Sequence, residues 1–316
     1  EGVKSNVLGK PMKEPQDVPF EKEGQYLKSD NRSNISYFLE HNVLLRRFTL
    51  SVGVLANYNS ALNEGIHFYP GIDASYRIGD NVRLYGSWNR ALRMPTFTDL
   101  YYEGKTNKGN PDLKPEESEA FEVGLKYNTY FLRAHIAGFY RKGKNMIDWV
   151  KEKPEDIWES QNLTKVDNLG FETNLSLLPR ELGNERFFIR KIELGYAFIH
   201  QDKDSEGYIS NYALDYLKHK FTAQLSHSIW KGFSATWYVR WQDRAGSYTK
   251  YENLKPAYEE PYAPYCLVDM KVNWEYQRLN LYAELNNLLN STYYDLGNIP
   301  QPGIWFKAGF RYSFKY

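Results

Sequence analysis

Apolar and polar side chains alternate along most of this chain. The clearest case is the segment 303–316, where one face carries seven successive apolar or aromatic positions and the other carries three cations. The segments 217–229 and 233–242 repeat the pattern. Because strand side chains point alternately to opposite faces, this period of two predicts strands with one apolar and one polar face. The sequence therefore predicts an all-β protein.

The alternating segments are long. Most hold ten or more residues, whereas strands of soluble proteins usually hold about 5–6, and a tilted strand that crosses a membrane needs about 9–11. The pattern thus predicts a transmembrane antiparallel β-barrel. The thirteen predicted strands are 32–45, 47–58, 66–78, 82–92, 118–128, 131–142, 163–177, 187–200, 217–229, 233–243, 264–276, 279–289 and 303–316.

Short and long connections alternate between these strands. The short ones are 46–47, 79–81, 128–130, 179–186, 230–232 and 276–278, and the long ones are 59–65, 93–117, 143–162, 201–216, 244–263 and 290–302. All long connections therefore fall at one end. Bacterial outer-membrane barrels show this asymmetry, with short periplasmic turns and long extracellular loops. We accordingly expect the chain to reside in a bacterial outer membrane.

An odd number of strands does not close an antiparallel barrel, and bacterial single-chain barrels have an even number. These strands are therefore part of a larger barrel, or their count is off by one, and we expect the first. Residues 1–31 contain Pro11, Pro15 and Pro19 among many charges, which is typical of a loop. We expect this segment to belong to an extracellular loop.

Composition narrows the function classes. Aromatic residues make up 16% of the chain, with 27 Tyr and 8 Trp, and such rings favour membrane interfaces. The net charge of +1 argues against nucleic acid as a partner, because phosphate binding needs a clustered basic face. Cys266 is the only cysteine, so an internal disulfide is excluded. Metal-ligand spacings and catalytic motifs are missing, so we expect no enzyme.

Four motifs between residue 93 and the last residue resemble signatures of TonB-dependent outer-membrane receptors. Residues 93–101 match Arg-x-Pro-Ser/Thr-x-x-Glu/Asp-Leu-Tyr/Phe, and residues 110–116 match Asn-Pro-x-Leu-x-Pro-Glu. Residues 286–293 resemble the Asn-Asn-Leu-x-Asp/Asn-x-x-Tyr segment that precedes the last strand, and Tyr316 resembles the terminal aromatic residue read by the insertion machinery. The order of the four motifs makes the resemblance specific.

The resemblance implies a barrel of about 22 strands with a plugged lumen, of which this chain would supply the last thirteen. It implies energised import of a scarce nutrient, cobalamin or an iron–siderophore complex. The implied partners are an N-terminal plug and the remaining strands, the TonB energy complex acting through the plug, outer-membrane lipid, a small-molecule ligand and a surface lipoprotein. Neither a plug nor a TonB box is recognisable in these residues.

Three sets of candidate site residues follow. The family motifs carry Arg93, Pro95, Asn110, Pro111, Pro115 and Glu116. Because proline fixes φ and interrupts strand pairing, these residues are expected either to stiffen the loop as a cap or to contact ligand. The aromatic ligand-binding candidates are Tyr101, Tyr102, Tyr251, Tyr258 and Tyr294. The other interpretation is that these rings belong to the aromatic girdle at the outer membrane interface. The polar-face cations Arg83, Arg240, Lys307 and Arg311 are expected to contact the plug or an anionic ligand.

A calcium site is the fourth candidate. Asp202, Asp204 and Glu206 are spaced like the first half of a calcium loop, followed by Gly207. The twelfth position is Ala213 rather than Glu, so the full pattern fails, and a solvated turn is the simpler interpretation.

Two other function classes remain open from sequence. A passive porin-like or structural barrel shares the strand pattern but needs no plug. A soluble all-β binding protein is the second, and it would bury its apolar faces against each other and dissolve without detergent.

Overall fold

The computed structural model describes residues 1–20, 24–62, 65–153, 155–183, 186–204, 207–210, 216–252, 255–297 and 299–314. They form twenty strands, one short helix, α1 (Phe97–Tyr101), and one 3-10 turn (Pro179–Leu182). The strands are β1 (Gly2–Asp17), β2 (Gln25–Leu44), β3 (Phe48–Asn59), β4 (Ile66–Arg77), β5 (Val82–Arg93), β6 (Asn107–Lys108), β7 (Glu116–Asn128), β8 (Leu132–Lys151), β9 (Trp158–Leu177), β10 (Ile189–Asp204), β11 (Ile209–Ser210), β12 (Leu217–Trp230), β13 (Phe233–Arg244), β14 (Ser247–Glu252), β15 (Lys255–Pro261), β16 (Tyr265–Tyr276), β17 (Leu279–Asn286), β18 (Tyr294–Leu296), β19 (Ile299–Pro300) and β20 (Trp305–Tyr312).

Fourteen strands form one continuous antiparallel sheet in chain order. The order is β1-β2-β3-β4-β5-β7-β8-β9-β10-β12-β13-β16-β17-β20, while β11 pairs with β8 and β6 with β9. The hairpins β14–β15 and β18–β19 stand apart from this sheet. No helix in the described part of the chain has the length and apolarity to cross a bilayer. The sheet is therefore the only large element of the described fold.

The sheet is open at both sides. Among the described residues β1 pairs only with β2, and β20 pairs only with β17. In lipid, an unpaired backbone group costs several kcal/mol. The two open edges therefore favour the prediction that further strands complete the wall.

All thirteen predicted strands are present, and β1 adds a fourteenth. The prediction of a loop for residues 1–31 is wrong about local structure, because β1 and the start of β2 form a hairpin there. The register shifts between Ser5 and Lys10 and between Pro11 and Gln16. Such irregularities and an edge position let proline enter a strand despite its missing N–H. The extracellular position of this segment stays a prediction.

The long connections are more regular than predicted. Strands β8 and β9 each hold 20 residues and occupy most of 143–162. Residues 201–204 belong to β10, and the connections 244–263 and 290–302 contain the hairpins β14–β15 and β18–β19. The alternation of apolar and polar residues does not reveal these strands, because both faces of a strand are polar outside the membrane. Strand pairing still satisfies the backbone hydrogen-bonding groups there. Residues 315–316, including Tyr316, lie outside the described residues.

Each long strand has one apolar face, here called the outward face, and one polar face, here called the lumen face. On β13 the outward face carries Phe233, Ala235, Trp237, Val239 and Trp241, and their cross-strand partners on β16 are Trp274, Val272, Met270, Val268 and Cys266. Phe233 and Trp241 are eight residues apart, which is about 26 Å along a strand. With strand tilt, that distance matches the apolar band of an outer-membrane barrel, about 25 Å tall.

Aromatic rings mark both borders of this band. Towards the long connections, Phe171, Phe198, His219 and Trp241 form a row of neighbouring rings across four strands. Towards the short turns, Phe233, Trp274 and Tyr276 stack with centroids 5.9 Å apart in each pair. Such rings are typical of the two membrane–water interfaces. The turn after β12 needs Gly232, whose φ is 76° and where a Cβ would lie 2.5 Å from the Glu275 carbonyl oxygen.

An apolar cluster of buried residues lies outside this band. Val150, Leu163 and Val166 are buried, and Met146 and Tyr208 pack against them. These residues belong to the distal half of the β8–β9 hairpin and to the segment before β11. The hairpin thus has its own small core, which explains how it extends beyond the wall.

Candidate functional site

The long connections and the tips of the extended hairpins gather at one end of the sheet, here called the mouth. The connection between β5 and β7, residues 94–115, contains the first two sequence motifs. It is held at its base by Arg93, the last residue of β5, and Glu116, the first of β7. The Arg93 Nε and Nη2 donate to the Glu116 carboxylate at 2.5 and 2.6 Å. This two-point pairing is among the strongest side-chain interactions available to proteins.

The same carboxylate also accepts a backbone hydrogen bond. The Ile147 N–H on β8 donates to Glu116 Oε1 at 2.7 Å. Glu116 is buried while Arg93 is half-exposed. The motif glutamate therefore joins three neighbouring strands at the point where the loop leaves the wall.

Helix α1 begins in the first motif. Thr96 is its N-cap, and the Thr96 side chain accepts from the Asp99 N–H while the Asp99 carboxylate accepts from the Thr96 N–H. This reciprocal capping box satisfies two backbone donors of a helix start. The buried Pro95 precedes it, and its carbonyl accepts from Arg32 Nη1 at 2.7 Å. The motif residues here shape and anchor the loop.

One side of the loop docks on the β1–β2 hairpin. The Tyr101 hydroxyl donates to Asp30 at 2.7 Å, and Lys28 pairs with Glu103 at 2.9 Å. Burial and then the hydrogen bond to Asp30 raise the pKa of Tyr101 to about 12. Arg32 also lies 5.3 Å above the Phe97 ring. The predicted ligand candidate Tyr101 is thus engaged within the protein.

The other side docks on the β8–β9 hairpin. The Lys114 N–H donates to Asn162 Oδ1 at 2.8 Å, and Asn162 Nδ2 donates to the Lys114 carbonyl at 3.0 Å. Asn110 Oδ1 accepts from the Asp112 N–H, which forms the turn around Pro111. Tyr102 packs edge-on against Trp149, with ring centroids 6.4 Å apart. Both flanks of the loop are therefore fixed.

These contacts favour the cap interpretation for the motif residues. Arg93, Pro95, Asn110 and Glu116 make contacts within the protein, and Pro115 offers its carbonyl to Asn145 Nδ2 at 3.4 Å. Sequence reasoning missed the anchors Asp30, Arg32 and Asn162. No local signal marks them, because each lies 48 to 71 positions from its partner in the loop.

A second cluster at the mouth is aromatic and cationic. Tyr248 on β14 is only 8% exposed and contacts Tyr294 and Tyr262, with ring centroids 5.3 and 5.2 Å away. Lys250 lies 5.6 Å from the Tyr294 ring, and Arg244 lies 5.5 Å above Tyr262. Burial raises the pKa of Tyr248. These rings hold the two mouth hairpins β14–β15 and β18–β19 together, so Tyr294 is a packing residue.

The two most exposed of the predicted tyrosines lie on one mouth hairpin. Tyr251 is 55% exposed and Tyr258 is 51% exposed, both on the β14–β15 hairpin. Lys250 and Tyr258 are cross-strand partners. Of the five predicted tyrosines, these two present the most ring surface to the mouth.

Two of the three predicted calcium residues lie in a strand. Asp202 lies in β10 and its carboxylate pairs with Lys165 at 2.7 Å, an interaction that lowers the pKa of Asp202. Asp204 ends the same strand, and Glu206 lies outside the described residues. In the described part of the chain no three acidic, histidine or cysteine side chains are grouped for a metal. Calcium binding stays a prediction.

The predicted polar-face cations line the lumen face. Lys307 pairs with Glu284 at 2.5 Å, and Glu284 also pairs with Lys271 at 2.7 Å. Arg311 lies beside them in the same cavity, Arg240 lines another higher on the wall, and Arg83 stands opposite Lys126. The lumen face is therefore charged and polar, as the alternation predicts.

Comparison with known proteins gives a family. The model "TonB dependent receptor-like, beta-barrel" matches residues 11–288. Curated relatives include the vitamin B12 transporter BtuB of Vibrio vulnificus (strain YJ016), 25% identical over 55% of this chain and 30% of its own length. The ferrienterobactin receptor of Escherichia coli (strain K12) is 22% identical over 85% of this chain and 38% of its own length. The chain thus corresponds to about a third of each relative.

Solved structures share the fold. A mutant ferric enterobactin receptor of Pseudomonas aeruginosa in complex with enterobactin superposes with a TM-score of 0.74 at 19% identity, covering 99% of this chain and 50% of that one. The siderophore receptor PirA of the same species gives 0.68 at 16% identity, covering 91% and 48%. At such identities the likeness concerns the fold.

The comparisons confirm the predicted bacterial outer-membrane location and agree with the expectation that the protein is not an enzyme. They give no support to a passive barrel or a soluble binding protein. The match over residues 11–288 and the fourteen-stranded two-faced wall place this chain in the TonB-dependent receptor family, as part of its β-barrel.

Proposed function

We propose that this chain is part of the barrel of a receptor that captures a scarce nutrient outside the cell and imports it across the outer membrane. The observation that carries the proposal is the wall itself, with an apolar outward face, a charged lumen face and a mouth built from docked loops. Such a wall encloses a polar path through lipid. No bond is made or broken in the transported molecule.

The nutrient class is cobalamin or an iron–siderophore complex. Relatives of both kinds support this class, since a vitamin B12 transporter and a ferrienterobactin receptor are among them. The exposed rings of Tyr251 and Tyr258 offer flat apolar surface at the mouth, which suits a planar ligand.

The energy source and partners are part of the same proposal. A plug domain and further strands complete the barrel, and TonB acts on the plug to open a path. A surface lipoprotein and a calcium ion at the mouth are further candidates. The lumen-face cation Arg311 is suited to contact the plug, because its cross-strand partner Asn280 lies next to the short turn 276–278, far from the mouth. Lys307 lies higher on the same lumen face, opposite Glu284.

Uptake measurements test the proposal. The complete gene product is expressed in cells that lack their own cobalamin and siderophore receptors, and uptake of labelled cyanocobalamin and of ferric enterobactin is followed with and without TonB. We expect saturable uptake of one nutrient that disappears without TonB. Equal uptake in cells that lack TonB would instead indicate a passive barrel.

A further inference from the structure

Three apolar side chains interrupt the polar lumen face near the mouth. Phe38, Leu55 and Tyr69 lie side by side on β2, β3 and β4, as cross-strand partners. They share a face with Ser51 and Asn57, opposite to the outward Val52 and Val54. Phe38 is 58% exposed. An exposed ring on a polar surface is informative, because the same face elsewhere carries hydrogen-bonding groups.

The next row towards the mouth is uncharged and polar. It consists of Ser36, Asn57 and His67, again as cross-strand partners. Asn57 is 7% exposed, and its Nδ2 donates to Asn34 Oδ1 and Ser36 Oγ, both at 2.8 Å. This row stands about 7 Å above the apolar row, the distance of two residues along a strand.

Two buried atoms of this row have no hydrogen-bond partner within the described residues. They are Asn57 Oδ1 and His67 Nε2. The two side chains are directly opposite on adjacent strands, and yet they do not bond to each other. Rotating the Asn57 amide would only leave its NH2 group unpaired instead. An unpaired buried polar atom costs about 1–3 kcal/mol, so a bound group with suitable donors or acceptors would relieve this cost.

In the row below the apolar side chains, the positions on β3 and β4 are both glycines. Gly53 and Gly71 are directly opposite each other. The Phe38 ring lies 3.1 Å from where a Cβ of residue 53 would stand, so it rests on bare backbone. The result is a cavity of about 730 Å³, lined by Phe38, Gly53, Asn57 and Tyr69 among others. Small-molecule sites usually measure about 300–1,000 Å³.

The charges around this cavity do not favour an anion. The apolar row and the Ser36–Asn57–His67 row carry no carboxylate, ammonium or guanidinium group. The nearest charges on the same face include the carboxylates Glu40 and Asp73, which also line the cavity. At its rim Arg32 donates to the Pro95 carbonyl and Arg93 to Glu116. Those two cations are therefore already engaged. Arg90 also lines the cavity, and its cross-strand partner is Glu119. His67 lines the adjoining cavity, where two lysines, Lys142 and Lys144, are matched by two carboxylates, Glu117 and Glu119.

We propose that this part of the lumen wall is a binding site for an uncharged ligand that has a flat apolar face and N–H donors along its edge, as in a macrocycle with carboxamide groups. The flat face lies on Phe38 and Tyr69, and the edge donates to Asn57 and His67. This inference rests on the proposed function and deepens it, because it selects neutral over anionic nutrients. It also places recognition on the wall rather than only on the loops.

Equilibrium binding to the complete gene product tests this site. The probes are cyanocobalamin, an uncharged carboxamide-bearing macrocycle, and ferric enterobactin, an anion. The variants are Phe38→Ala, Asn57→Ala and His67→Ala. The matched controls are Phe68→Ala, which removes a similarly exposed ring from the outward face of β4, and Asn273→Ala on the lumen face of β16. Folding is checked by heat-dependent gel mobility and by the melting temperature.

We expect the wild type to bind cyanocobalamin, and each site variant to raise Kd about tenfold, the usual cost of one lost hydrogen bond or ring contact in a site. The controls should leave Kd unchanged. His67→Ala spares the Asn34–Asn57–Ser36 hydrogen bonds and so gives a readout even if Asn57→Ala fails to fold.

Three results would overturn the inference. Unchanged cyanocobalamin affinity in all site variants would remove the site but leave the import function standing. Selective binding of ferric enterobactin would refute the neutral ligand class. A lower melting temperature without a change in Kd would mean that another segment of the protein covers the apolar row. The absence of binding and uptake for every nutrient, in contrast, would count against the proposed function itself.

Discussion

Single residues decide how the mouth is held together. Arg93 and Glu116 belong to motifs that sequence inspection found, but their structural role depends on contacts that sequence did not reveal. The backbone of Ile147 and the side chain of Arg32 come from distant parts of the chain. The positions of the motifs are predictable because each motif is a local sequence pattern. The contact partners are not predictable, since they depend on strand register between residues far apart in the chain.

Removing the Arg93 guanidinium should loosen the base of the loop. In Arg93→Ala, the buried Glu116 carboxylate loses its cation and keeps only the Ile147 N–H. Because Arg93 is half-exposed, we expect a local cost of roughly 1–2 kcal/mol, less than for a fully buried pair. Amide hydrogen exchange at Ile147 and in residues 94–115 should become about tenfold faster.

Two further variants separate charge from geometry. Arg93→Lys keeps the charge without the two-point fork and should give an intermediate rate. Arg90→Ala, on the same strand, removes a guanidinium that makes no ion pair among the described residues and should change nothing. Equal exchange in Arg93→Ala and wild type would show that the clamp does not stabilise the loop.

The lumen wall also contains a residue-level signal that was available from sequence. On β2 the lumen-face positions are Asn34, Ser36, Phe38, Glu40 and Asn42, so the ring at position 38 breaks the polar series. Alternation predicts the strand correctly, and this exception marks a different surface on it. The orphaned atoms on β3 and β4, in contrast, depend on register and appear only in the structure.

At the scale of elements, the membrane part of each strand was predictable and the part beyond it was not. Segments such as 217–229 and 233–243 coincide with β12 and β13 because lipid on one side and a polar lumen on the other enforce the alternation. Beyond the membrane this contrast ends. Strands β8 and β9 continue there through pairing and through the Val150–Leu163–Val166 cluster instead.

That small cluster should hold the distal half of the β8–β9 hairpin. Leu163→Ala removes a buried side chain from it, and such substitutions cost about 2–5 kcal/mol. We expect hydrogen-exchange protection to fall in residues 144–163 and to persist in 132–142, which lie in the membrane part of β8. Tyr102 and Lys114, docked on this hairpin, should also become less protected.

The same substitution elsewhere on β9 provides the control. Leu169→Ala removes an outward-facing side chain that is exposed to the surroundings, and it should leave the hairpin protected. If both variants lose protection equally, the distal half depends on the wall rather than on its own core.

At the scale of the whole molecule, one sheet with two chemically different faces accounts for both the membrane location and the polar surface that lines the lumen. The outward face puts apolar side chains into lipid, and its aromatic rows fit the two interfaces. The lumen face carries the ion pairs of Glu284 with Lys271 and Lys307. The whole account depends on which face meets lipid, because a dry contact between the apolar faces would instead make a soluble protein.

The most direct test is the environment of successive residues on one strand. Nitroxide labels are placed one at a time at positions 306–311 of β20 in the Cys266→Ser background, in the complete protein reconstituted into bilayers. We predict high oxygen and low nickel-chelate accessibility at Phe306, Ala308 and Phe310, and lower oxygen accessibility at Lys307, Gly309 and Arg311. Absence of this alternation, or its reversal, would contradict a lipid-facing apolar side.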